Sequence, residues 1–185
     1  MPITLAAFSP YLAWREPVYI ASGFAGIVAL ALMLFQPLMA AGLLPGLPLG
    51  SSRSIHRWVG AGIVIAVVLH VVGLWITSPP DVVDALLFRS PTPFSVWGVI
   101  AMWALFATAL LAIYRRRFRQ NLRTWRIAHS TLAAVIVAGT VIHAALIEGT
   151  METLSKFALS SCVVTALGFA LLRLRAWKRS SAKRA

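Results

Sequence analysis

Apolar residues in this chain follow neither a helical stripe nor a strand-like alternation. They run in unbroken blocks. Four blocks carry no Asp, Glu, Lys or Arg: Val18–Ser52, Trp58–Pro80, Ser90–Tyr114 and Ile127–Ile147. A fifth, Phe157–Leu172, is shorter and extends back to Leu154. Crossing a bilayer takes about 20 mostly apolar residues, and a chain in lipid must satisfy its backbone polar groups internally. The pattern therefore predicts an all-α, polytopic membrane bundle of about five transmembrane helices. Pro37, Pro45 and Pro48, with Gly42, Gly46 and Gly50, interrupt the first block and place the end of its helix around Gln36–Met39. The stretch Thr77–Pro93 holds Pro79, Pro80, Pro91 and Pro93, and between them Asp81–Phe88 has the makings of a short helix on the membrane surface. The other connections are short, which favours antiparallel packing of successive helices.

Composition strengthens this picture. Of 185 residues, 59% are hydrophobic and 12% charged, too apolar for a small soluble domain, roughly a third of whose surface stays in water. The first block is preceded only by Arg15 beside Glu16 and exceeds a signal peptide's apolar core, so it reads as a retained helix. The expected layout is an external segment over 1–17, a transmembrane domain over 18–176 and a basic tail over 177–185. Cys162 stands alone in the fifth span and reads as a small buried hydrophobe.

The net charge of +12 would suggest nucleic acid if it were spread over one surface. Its distribution points elsewhere. Arg53 and Arg57, then Arg115, Arg116, Arg117, Arg119, Arg123 and Arg126, then Arg173, Arg175, Lys178, Arg179, Lys183 and Arg184 all fall on one side of the predicted bundle. The other side receives Arg15, Arg89 and Lys156 with all five acids. By the positive-inside rule the N-terminus is external and the C-terminus cytoplasmic, in a multi-pass protein of an inner (plasma) membrane. The basic residues meet anionic lipid, and no nucleic-acid partner is implied.

The four histidines carry the chemistry. His56 and His70 belong to the second span, His129 and His143 to the fourth, and each pair is separated by fourteen positions. Fourteen residues turn a helix through four revolutions less about 40° and rise roughly 21 Å, so each pair shares one face. Both spans run outward from the cytoplasmic side, which sets His56 level with His129 and His70 level with His143. Two opposed imidazoles at each of two depths are what two b-type haems with bis-histidine ligation require. The alternative is hydrogen bonding of polar residues across helices. Zinc or copper would need ligands in one coordination sphere, yet no His lies three or four positions from another, and a di-iron site would need intramembrane Glu.

Nearby residues extend the candidate site. Gly60, Gly73 and Gly139 lie within four positions of a histidine and either clear space for porphyrin or serve helix packing. Arg57 and Arg126 adjoin the inner histidines, where they either pair with haem propionates or are part of the topology signal. On the outer side Arg89 and Lys156 are the cations available to an outer propionate or an anionic acceptor. Trp103 or Phe106 is a candidate ring between the two levels.

His56-Arg-Trp-Val-Gly60 followed by His70, and Trp125-Arg-Ile-Ala-His129 followed by His143, resemble the ferric reductase-like transmembrane domain. That domain is shared by ferric-chelate reductases, NADPH oxidases and the haem subunit of a bacterial methionine-sulfoxide repair system. The resemblance runs from about Ile20 to Leu172. It implies electron transfer from a cytoplasmic reductant through an inner and an outer haem to an external acceptor. Larger relatives continue into flavin and nicotinamide domains. Here no Gly-x-Gly-x-x-Gly element occurs and nothing after Arg175 suits FAD or NAD, so a separate donor is expected: a flavin reductase, reduced flavin or quinol. Two readings stand beside this one, a small di-haem cytochrome b exchanging electrons with quinone or superoxide, and a haem-free membrane scaffold.

The charge distribution makes a direct prediction. A reporter fused to the C-terminus should be cytoplasmic and one inserted at Asp84 external; the opposite result would reverse the two levels.

Overall fold

The computed structural model describes residues 15–118, 121–148 and 151–182, with side chains described up to residue 173 except that of Phe118. Residues 1–14 of the expected external segment and residues 183–185 of the tail lie outside the described residues. Six α-helices form among the described residues: α1 (Pro17–Ala40), α2 (Leu49–Thr77), α3 (Pro79–Leu86), α4 (Pro93–Ile113), α5 (Leu122–Leu146) and α6 (Thr153–Ala182). A 3-10 segment, Tyr114–Phe118, follows α4, and no strand occurs among the described residues. All but α3 are long and apolar enough to cross a membrane. The short α3 falls within the stretch expected to lie on the surface.

The helix ends follow from local chemistry. Proline opens α1, α3 and α4, where a missing N–H costs nothing. The first helix passes through Pro37 and stops at Ala40, just beyond the expected end. Gly42 then takes a left-handed conformation (φ 62°), and the Gly42 and Leu43 N–H groups donate back to the carbonyls of Met39 and Leu38. A side chain at Gly42 would also strike Leu49. Buried Ser52, in the first turn of α2, donates its hydroxyl to the Met39 carbonyl at 2.8 Å. The end of α3 has the same crossed bonding, from Phe88 to Ala85 and Arg89 to Asp84, but the left-handed residue is Phe88 (φ 57°). A non-glycine residue there costs about 1–2 kcal/mol.

The tightest partners are α1 with α2 and α4 with α5, two antiparallel hairpins, and α6 lies against α1 and α5. Their shared core comprises Ile27, Leu30 and Met33 of α1, Ile63 and Ala66 of α2, Ala104 of α4, Ile136 and Val137 of α5, and Leu159 and Val163 of α6. The opposite faces carry exposed Trp58, Ile65, Leu69 and Ile76 on α2 and Leu110 and Ile113 on α4. A water-facing surface would not tolerate such patches, whereas lipid does. Lys156, only 7% exposed, donates its ammonium to the carbonyls of Ile147 (2.7 Å) and Ala145 (3.4 Å). The positive end of α6 thereby satisfies carbonyls that α5 leaves open.

Close approach within each hairpin depends on missing side chains. A Cβ at Gly73 would meet that of Ser22 at 2.6 Å, and one at Gly139 would lie 2.9 Å from the Trp97 carbonyl oxygen. Gly139→Ala is therefore expected to cost about 1–3 kcal/mol of overpacking and to lower the unfolding temperature in detergent. Gly168→Ala, with nothing within 4 Å, should not. Equal loss at both positions would refute the close-approach role.

Candidate functional site

The two histidines of α2 face the two histidines of α5. The ring centres of His56 and His129 are 6.2 Å apart, with the planes inclined at 62°. Those of His70 and His143 are 6.4 Å apart and inclined at 83°. A metal atom shared by two imidazoles implies about this separation: two bonds of about 2.0–2.1 Å, plus roughly 1.1–1.2 Å from each nitrogen to its ring centre, give ~6.3 Å. Among the described residues no three His, Cys, Asp or Glu side chains assemble into a metal-ion site. The arrangement is two separate pairs.

Second nitrogens explain how the rings are held. His70 Nδ1 lies 2.7 Å from the Ser22 carbonyl oxygen, His56 Nδ1 3.1 Å from that of Gln36, and His143 Nδ1 2.9 Å from that of Phe94. A carbonyl oxygen only accepts, so each of these Nδ1 atoms carries the proton and each Nε2 keeps a free lone pair. That tautomer suits a metal ligand, and the outer hydrogen bond both orients the ring and raises its basicity. The Gln36 amide also donates to the His56 carbonyl at 3.2 Å. His129 is different: its Nδ1 is buried without a hydrogen-bond partner. Its ring instead stacks on Trp125, with centres 5.0 Å apart and planes within 13°.

Glycines on the neighbouring helices make room for two of the rings. A Cβ at Gly26 would stand 3.1 Å from His70 Nδ1, and one at Gly98 2.7 Å from His143 Nδ1. Neither was among the sequence candidates, because both lie on helices without histidine and their proximity depends on the register between helices. The three glycines that were candidates do other work. Ser22 fills the space beside Gly73, and Trp97 and Ala101 fill that beside Gly139. Beside Gly60 the nearest group is the Gln36 amide, at 3.5 Å. Gly73 and Gly139 thus serve close helix packing, and Gly60 has an ordinary neighbour on α1.

Other candidates fall at the periphery. Arg57, Arg126 and Arg89 are all exposed, and Arg126 Nε donates to the Leu122 carbonyl of its own helix. Lys156 is committed to the end of α5. Trp103 is 56% exposed and packs edge-on against Phe106.

The two hairpins repeat one plan. Ser22 and Gln36, fourteen apart on α1, accept from His70 and His56. Phe94 on α4 accepts from His143 as Ser22 does from His70. Gly26 and Gly98 each lie four residues after that acceptor. Ser52, four before His56, donates to Met39, three after Gln36. Trp125, four before His129, donates its indole N–H to Leu111 at 3.1 Å. Beyond the histidines and Gly26 with Gly98, residue type does not announce this repeat, since Ser matches Phe and Ser matches Trp.

With two facing histidine pairs between antiparallel hairpins, and five apolar helices, this is a multi-pass membrane protein. Residues 22–140, more than half of the chain, match the family described as ferric reductase like transmembrane component, and the chain belongs to that family. The matched stretch includes His56, His70 and His129 and stops three residues short of His143. The curated proteins and the solved structures give no match.

Proposed function

We propose that this chain conducts electrons across the plasma membrane through two b-type haems, one held by His56 and His129 and the other by His70 and His143. The observation that carries the reading is the facing of the imidazoles at 6.2 and 6.4 Å, a spacing at which each pair could hold one metal atom between them. Membership of the ferric reductase-like family supports transmembrane electron transfer. When bound, haem iron supplies the one-electron chemistry. The protein's part is ligation, orientation and a dry surrounding. The Ser22, Gln36 and Phe94 carbonyls fix the rings of His70, His56 and His143, and the apolar helices keep the dielectric low.

The positive-inside rule favours a cytoplasmic His56/His129 level, with electrons entering there and leaving beyond the His70/His143 level. Arg57 and Arg126 are available to propionates at the first level, and Arg89 to an outer propionate or an anionic acceptor. The donor is a separate flavin reductase, reduced flavin or quinol. An anionic donor would be steered to the cluster containing Arg53, Arg57, Arg115, Arg116, Arg117 and Arg123.

Pyridine-haemochrome assay of the purified full-length protein should yield close to two haems per chain, and a colourless protein overturns the reading. His56→Ala and His129→Ala should remove the same spectral component, and His70→Ala and His143→Ala the other. Should His56→Ala and His143→Ala coincide instead, the pairing is wrong. Were ferric haem iron held by these pairs, their inclined imidazole planes, 62° and 83° apart, would favour strongly anisotropic low-spin resonance signals at both sites.

Reduction by a flavin donor is expected to slow as salt rises, and to slow further when Arg116 and Arg117 are neutralised. A rate indifferent to both would favour a lipid-soluble quinol as donor.

A further inference from the structure

We propose that Trp125 raises the redox potential of the His56/His129 site above that of the His70/His143 site, by holding His129 without the Nδ1 hydrogen bond the other three histidines make. The inference rests on the haem reading above.

The hairpin repeat identifies what is missing. Gln36 follows Ser22 by fourteen positions on α1, and the residue fourteen after Phe94 on α4 is Thr108. The Thr108 carbonyl is the acceptor that the plan assigns to His129, yet His129 Nδ1 is buried without any partner. The Thr108 hydroxyl donates to the Ala104 carbonyl at 2.8 Å, and its oxygen makes no bond to His129 Nδ1 either. The two halves differ at the residue four before the histidine, which is Ser52 in one and Trp125 in the other. Both donate to corresponding carbonyls, Met39 and Leu111. The hydroxyl of Ser52 does this in little space. The indole of Trp125 does it with a large ring that lies flat against the His129 imidazole, while the Arg115 guanidinium covers the indole at 5.1 Å.

An Nδ1–H donated to a carbonyl shifts electron density toward Nε2 and makes the imidazole a stronger donor to iron, which favours the ferric state. A stacked indole accepts no such proton. His129 is therefore the weakest donor of the four, and its site favours the ferrous state more than the site whose two ligands are both hydrogen-bonded. The positive charge of Arg115 beyond the indole acts in the same direction. One electron reduces one ferric iron to ferrous with no proton transferred. A protein holding a single electron keeps it mainly at the His56/His129 site.

Redox potentiometry of the full-length, haem-loaded protein tests this, with each wave assigned through the single His→Ala variants. The wild type should show the higher potential at the His56/His129 site. Trp125→Ser, which places the other hairpin's residue at this position, should move that wave to lower potential and leave the His70/His143 wave unmoved. Two haems per chain with both waves unchanged, or with only the His70/His143 wave displaced, would overturn the proposal and leave the haem reading intact. Absence of haem from the wild type would instead overturn the haem reading. Should the variant lose a haem, nitrogen-15 histidine spectra of the reduced wild type decide. Three Nδ1–H signals with the downfield shift of a strong hydrogen bond and one without support the proposal, and four alike refute it.

Discussion

A histidine in a membrane helix has two nitrogens to satisfy and no water to satisfy them. This protein resolves the problem by giving Nδ1 of three imidazoles to a carbonyl of the preceding helix, at Ser22, Gln36 and Phe94. A helical carbonyl already accepts one bond along its own axis and has a second lone pair to offer. The ring is oriented by that bond, and the imidazole faces its counterpart across the hairpins. Register of α1 against α2 and of α4 against α5 follows, because a slip of one residue would carry the carbonyl around the helix and out of reach. Gly73 and Gly139 permit the close approach that brings those carbonyls near enough.

Much of the architecture was legible from the linear sequence because lipid imposes a crude and strong rule. Charge-free blocks delimited the spans, proline and glycine placed the breaks, and even the short α3 announced itself between its prolines. Fourteen-residue spacing put each histidine pair on one helix face, since that follows from helical pitch alone. Azimuth relative to a neighbouring helix was not legible. Gly73 lies three residues from His70, and its position alone left porphyrin clearance and helix packing equally open; the neighbour it makes room for is Ser22, fifty-one positions earlier. Gly26 and Gly98, which do sit beside imidazoles, belong to helices with no histidine to draw attention to them. Lys156 read as a free outer cation because nothing local revealed that it closes the end of α5.

The repeated plan of the two hairpins was hidden for a related reason. What repeats is the position of backbone acceptors, and a backbone carbonyl is the same whether the residue is Ser22 or Phe94. Side chains were free to diverge at those positions provided the helix geometry persisted. Where a side chain itself enters the arrangement, as at Ser52 and Trp125, divergence altered the environment of a histidine. Asymmetry between the two levels thus arises from one residue in an otherwise shared frame, with the cationic end of the bundle adding to it.

The carbonyl partners of three histidines have a further meaning for how the protein is made. In each case the acceptor belongs to the helix synthesised just before the one that carries the imidazole. A nascent hairpin leaving the insertion machinery already contains both halves of the bond. The cost of taking those imidazoles into lipid is offset locally, within the hairpin that carries them. The first hairpin is in that respect a self-sufficient unit of membrane insertion, the second only for His143, and the facing of the imidazole pairs has to wait for the whole chain.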